Sequence, residues 1–110
     1  MRIFAAAALA AAILSMGPFS AVAQTMGDPA EGRDYALQSC TQCHIVAANQ
    51  PMPKKTIAPD FRSIADTKGM TETALHAFLS SPHPTMPNLI LSQREQDDVI
   101  AYIASLRSRK

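Results

Sequence analysis

Cys40-Thr41-Gln42-Cys43-His44 contains both cysteines of this 110-residue sequence and decides how the rest is read. Two thiols separated by two residues close too small a ring to stabilise a fold as a disulfide, because the entropy removed by a cross-link grows with the loop it closes. A thioredoxin-like redox pair stands at a helix start after a strand, whereas this pair follows a helix-forming stretch with no βαβ pattern around it. A zinc site needs four ligands, and the other histidines, His76 and His83, lack finger spacing. The remaining use is thioether attachment of a haem. Thiols about one helical turn apart can each add to one of the two vinyl groups of a porphyrin, and a histidine directly after them places an imidazole under the iron. C-x-x-C-H therefore points to Cys40 and Cys43 as attachment points for one haem c and to His44 as the proximal ligand.

The N-terminus supplies the compartment. Met1-Arg2 is a small positive end, Ile3 to Met16 an Ala-rich stretch without charge, and Gly17-Pro18 a helix break ahead of Ala21-Val22-Ala23 and Gln24. Residues 1–23 are expected to be a cleaved signal peptide and 24–110 a single mature domain in the periplasm. Apolar residues continuing to Val22 leave a retained membrane anchor as the alternative. Ten Lys and Arg stand against nine Asp and Glu, and loss of Arg2 balances them at nine each. That excludes the strongly basic surface that nucleic acid requires. Lys54-Lys55 and the tail Arg107, Arg109 and Lys110 read as solvated clusters.

A domain of this length has a thin core, and this one has no Trp, so a bound group is expected to complete it. The pattern along the chain is all-α, with four short helices and no sustained strand-like alternation. Asp28 caps a first helix with Pro29 at its first position and Glu31 at its third, running to the cysteines. Ile45 to Ala58, interrupted by Pro51 and Pro53, reads as an irregular loop. A short helix follows Pro59 over 60–65 and stops near Lys68-Gly69. Thr71 caps a third helix over 72–79, with Ala74, Leu75, Phe78 and Leu79 on one face and His76 on the polar side, towards solvent. Ser92-Gln93-Arg94-Glu95 is a capping box that opens a last helix carrying Val99, Ile100, Ile103 and Leu106.

These features in this order resemble the class I cytochrome c family, in its short bacterial members. The resemblance runs over 27–108: Gly32 eight residues before Cys40, the C-x-x-C-H of 40–44, Ala58-Pro59-Asp60-Phe61, Met86-Pro87, and Asp98-Val99-Ile100-Ala101-Tyr102-Ile103 with Ser105-Leu106. It implies a small fold of about four helices around one covalently bound haem. It also implies that Gly32 lets the first helix approach the last, with Tyr102 packed across the crossing, and that the Pro59 carbonyl accepts a hydrogen bond from the proximal imidazole. The family often has an aromatic four residues before the first cysteine; here that position is Ala36, and Tyr35 stands beside it.

The resemblance further implies Met86 as the sixth iron ligand, 42 residues after His44. Pro84 and Pro87 stiffen its segment and lower the entropy lost on ligation. His83, three residues away, is the competitor, and Met52 and Met70 are expected to pack. A His44/Met86 pair leaves no open coordination position, and walls such as Phe61, Ile64, Leu75, Phe78, Leu89 and Leu91 disfavour the extra charge of the oxidised haem. The implied function is a monomeric, non-enzymatic carrier of single electrons between transient redox protein partners, a donor and an acceptor, with no nucleic-acid partner and no membrane association after cleavage. An electron-transfer subunit of a periplasmic oxidoreductase is the alternative, or a haem enzyme or gas-binding module if the sixth ligand is labile. A balanced charge predicts that electron-transfer rates with partners fall only weakly as salt rises. A steep loss of rate between low and physiological ionic strength would contradict it.

Overall fold

A short polar side chain ahead of each helix sets where it begins. The computed structural model describes residues 27–55, 58–81 and 84–109, so the expected leader at 1–23, His83 and Lys110 lie outside the described residues. Asp28 takes extended backbone geometry, and its carboxylate accepts the N–H of Ala30 at 2.8 Å, opening α1 (Pro29–Ser39) with proline in the first turn. Asp60 does the same for α2 (Phe61–Asp66) through the N–H of Ser63, so this helix starts one residue later than expected. Thr71 caps α3 (Glu72–Ser80). At α4 (Gln93–Ser105) the Ser92 hydroxyl accepts the N–H of Glu95 while the Glu95 carboxylate accepts that of Ser92. α-Helices are the only regular elements among the described residues, as the all-α reading requires.

α4 is the central element and packs against each of the other three helices, most extensively against α1. It buries Val99, Ile100, Tyr102 and Ile103, which meet Ala36, Val46, Phe61, Ala65 and Leu75 in one core. At the α1–α4 crossing the backbones touch. A Cβ on Gly32 would overlap the carbonyl of Asp98, and one on Gly27 would overlap that of Asp97. Ala36, fully buried one turn beyond Gly32, continues this small-residue face, while Tyr35 is half-buried against the core. With no bulky side chain at 36, the helices meet on Gly32 and Ala36.

Polar groups complete the packing in ways the sequence pattern does not announce. Asp97 and Asp98 are both buried. Asp98 Oδ1 accepts the backbone N–H of Asp28 at 2.7 Å, placing a carboxylate at the positive end of α1. Asp97 accepts from Gln93 Nε2 at 3.1 Å and lies 3.3 Å from His76 Nε2. His76 therefore does not face solvent as expected: its side chain is only 35% exposed and bridges α3 to α4. The polar side of α3 meets the polar first turns of α4. In the tail Arg107 is exposed, as expected, but its guanidinium also donates to the Met70 carbonyl at 2.9 Å. Ser108 beside it donates through both its N–H and its hydroxyl to the Asp66 carboxylate.

Two predictions follow from this framework. Gly32→Ala forces the crossing apart and should destabilise the protein by about 1–3 kcal/mol, read as a lower denaturation midpoint; an unchanged midpoint would contradict the close approach. The second concerns acid. The Ser63 N–H and hydroxyl hold the Asp60 carboxyl below the usual aspartate range. A group with a depressed folded pKa contributes stability at neutral pH and loses it as pH falls through that value. Wild type should therefore lose stability relative to Asp60→Asn on going below about pH 4, and a constant difference between the two down to about pH 3 would show that the carboxylate is not the source.

Candidate functional site

The end of α1 builds the thiol pair. Cys40 is the C-cap of the helix, its N–H donating to Ala36 O at 2.9 Å. The chain then coils once more, with the N–H of Cys43 and the N–H of His44 both donating to Cys40 O, at 3.2 and 2.9 Å. The Thr41 hydroxyl ties this turn back to Leu37 O. Both cysteines are free and half-buried. Burial, and secondarily the neighbouring Cys43, push the Cys40 thiol up to about 11, so it stays protonated at neutral pH.

His44 is held by its ring. Nδ1 lies 2.6 Å from Pro59 O, and because a carbonyl can only accept, that nitrogen carries the proton and Nε2 keeps its lone pair for a metal. Phe61 packs edge-on against the imidazole at 5.4 Å between centroids and in turn lies 6.3 Å from Tyr102. The N–H of Phe61 donates to Ile45 O, so the residues on either side of the ring contact are also bonded through backbone.

The loop after His44 is irregular, as expected, but it is fastened by two side chains that sequence reasoning did not single out for this role. Gln50 folds back so that its Oε1 accepts the N–H of Val46 at 2.7 Å and of Ala47 at 3.2 Å, while its Nε2 donates to His44 O at 2.8 Å. Asn49 makes this reversal at φ 66°, a left-handed conformation that asparagine tolerates better than most residues. On the other side Tyr102 Oη donates to the buried Val46 O at 2.7 Å, hanging the loop from α4. An isolated glutamine in a Pro-rich stretch carries no pattern that would have marked it.

Cys40, Cys43, His44 and Pro59 are thus joined by one set of bonds. Met86 is not part of that set: it is half-buried on the segment between α3 and α4, preceded by Thr85 at φ 70°. Met70 packs against the core, as expected of it, whereas Met52 is 71% exposed. Of the anticipated apolar walls, Phe61 and Leu75 are buried, Ile64, Leu89 and Leu91 half-buried, and Phe78 is 50% exposed.

No group of three or more His, Cys, Asp or Glu among the described residues converges on a point that would hold a bare metal ion. The two thiols and the imidazole are adjacent in sequence yet do not share a centre. That suits a haem, where sulfur bonds to the macrocycle's edge and nitrogen to the iron at its middle, and it does not suit zinc.

Comparison with known proteins agrees. Cytochrome c-552 of Bradyrhizobium diazoefficiens is 40% identical over 80 residues, which span 73% of this chain and 76% of the relative. No family model matches the chain, and no solved structure matches it with significance. A relative this similar over this much of both chains, on an all-α fold with two free thiols where a haem attaches, places the chain in the class I cytochrome c family, as a monohaem member with covalently attached haem c.

Proposed function

We propose that this protein is an exported carrier of single electrons rather than an enzyme, with Cys40 and Cys43 as the thioether attachments and His44 and Met86 as the axial ligands. The observation that carries this reading is the 2.6 Å contact of His44 Nδ1 with Pro59 O, which leaves Nε2 as the free donor at the end of the cysteine turn. When bound, haem c supplies an iron that gains and loses one electron. Ligation by His44 and Met86 would leave such an iron no free position for oxygen or peroxide, so electrons would cross without a bond being made or broken. A soft sulfur ligand and apolar surroundings favour the reduced iron and raise the potential.

Redox partners would meet the protein near Gln42 and Ile45, which are exposed beside the cysteine turn. Such contacts are small and short-lived. The leader pattern of 1–23, a positive Arg2 ahead of an uncharged Ala-rich stretch, supports export, with 24–110 as the mature domain in the periplasm. No helix among the described residues is long and apolar enough to cross a membrane.

Met86→Ala tests the ligand pair. The reduced variant should bind carbon monoxide at once, whereas the parent should react only as fast as Met86 leaves the iron, and the variant's potential should fall by on the order of 0.1 V, within the roughly 0.8 V that axial ligation spans. An unchanged spectrum with carbon monoxide binding no faster than in the parent would remove Met86 from the iron and make His83 the first replacement.

A further inference from the structure

The bridge between α3 and α4 stands next to the segment that carries Met86. His76 places its two ring nitrogens against two side chains of α4, Nε2 at 3.3 Å from Asp97 Oδ1 and Nδ1 at 3.3 Å from the Gln96 side-chain amide. The Ser80 hydroxyl, one turn further along α3, donates to the same Gln96 amide at 3.3 Å. These contacts add to a small apolar grip: on α3 Leu75 is buried and Leu79 half-buried against the core, while Phe78 is 50% exposed.

Position along the chain gives the bridge its meaning. Met86 stands six residues beyond Ser80 and six before Ser92. Ser92 is the N-cap of α4, and Gln96 donates its own N–H to Ser92 O at 3.0 Å, so the two are one turn apart on the same helix end. With Ser80 fastened to Gln96, the segment holding Met86 leaves from and returns to a single turn of α4. It is a loop closed at its base. A thioether that lets go of iron then remains nearby and rebinds quickly. If the base opens, the free segment grows to include α3, and the entropy lost on re-forming the bond grows with it.

We propose that His76, Gln96 and Ser80 form a clamp at the base of this loop and are positioning residues that set how readily Met86 leaves the iron. Asp97 orients the clamp from beneath, itself fixed by Gln93 at 3.1 Å. The proposal rests on the reading of Met86 as sixth ligand.

The test is stopped-flow mixing of the reduced holoprotein with carbon monoxide, which binds only when Met86 is off. Wild type is compared with His76→Ala, Gln96→Ala and Gln96→Glu. Helicity and the sulfur-to-iron charge-transfer band of the oxidised form are followed on heating. His76→Ala and Gln96→Ala should react roughly tenfold faster than wild type, the scale of one lost hydrogen-bonded contact, and should lose the sulfur band at a lower temperature than their helicity. Gln96→Glu keeps the length of the side chain and an acceptor oxygen for the Ser80 hydroxyl, and should stay closer to the wild-type rate than Gln96→Ala. Ser80→Ala, a small change at an exposed position, serves where a larger truncation does not fold and should be severalfold faster. A wild-type sulfur band with all folded truncations reacting at the wild-type rate overturns the clamp alone. Absence of that band from wild type overturns the ligand reading, and the clamp with it.

Discussion

The contact of α1 and α4 through their backbones, at Gly27 and Gly32 against Asp97 and Asp98, is the constraint on which the rest of this protein depends. It fixes where α1 ends and therefore where Cys40 begins its turn. It also fixes which way α4 presents Tyr102, whose hydroxyl reaches across to Val46 and holds the loop that follows His44. The buried Asp98 side chain locks the register of the crossing by accepting the N–H at the start of α1. A carboxylate there is favoured twice, by its hydrogen bond and by the positive end of the helix.

From that crossing outward the imidazole is positioned by a chain of specific bonds. Tyr102 holds Val46, Gln50 holds both Val46 and His44 O, and Pro59 O holds the ring itself. Each link satisfies a backbone group that an irregular loop would otherwise leave unpaired. The apolar core is small, and of its buried aromatics Phe61 packs on the imidazole and Tyr102 on Phe61. A chain of this size gains stability from a large rigid group in its interior, so the cofactor that carries the electron also contributes to the fold.

Much of this is legible in the sequence because it is local. Asp28, Thr71 and Ser92 are readable as caps because the side chain and the N–H it accepts are two or three residues apart, and Cys40-Thr41-Gln42-Cys43-His44 carries its chemistry within five residues. Asp60 is readable as the start of a helix, though it stands just outside it as the cap. What is not legible depends on pairs distant in sequence. His76 reads as a surface residue until α3 is laid on α4, where its half-buried ring meets Gln96 and Asp97. Arg107 reads as part of a solvated tail; it stays exposed, but its bond to Met70 O and that of Ser108 to Asp66 are invisible from sequence. Asp97 and Asp98 are the sharpest case, because an acidic pair on a helix signals exposure and here both are buried by the close approach that the glycines allow.

The central claim is that one methionine of this chain, Met86, faces the iron opposite His44. Proton NMR of the reduced holoprotein, with the methionine methyl groups labelled with carbon-13 and assigned one by one, addresses it most directly. A methyl held over the face of a haem is shifted far upfield by the ring current. The account predicts one such methyl, belonging to Met86, with those of Met52 and Met70 at ordinary positions. An upfield methyl assigned to another methionine, or none at all, would contradict it.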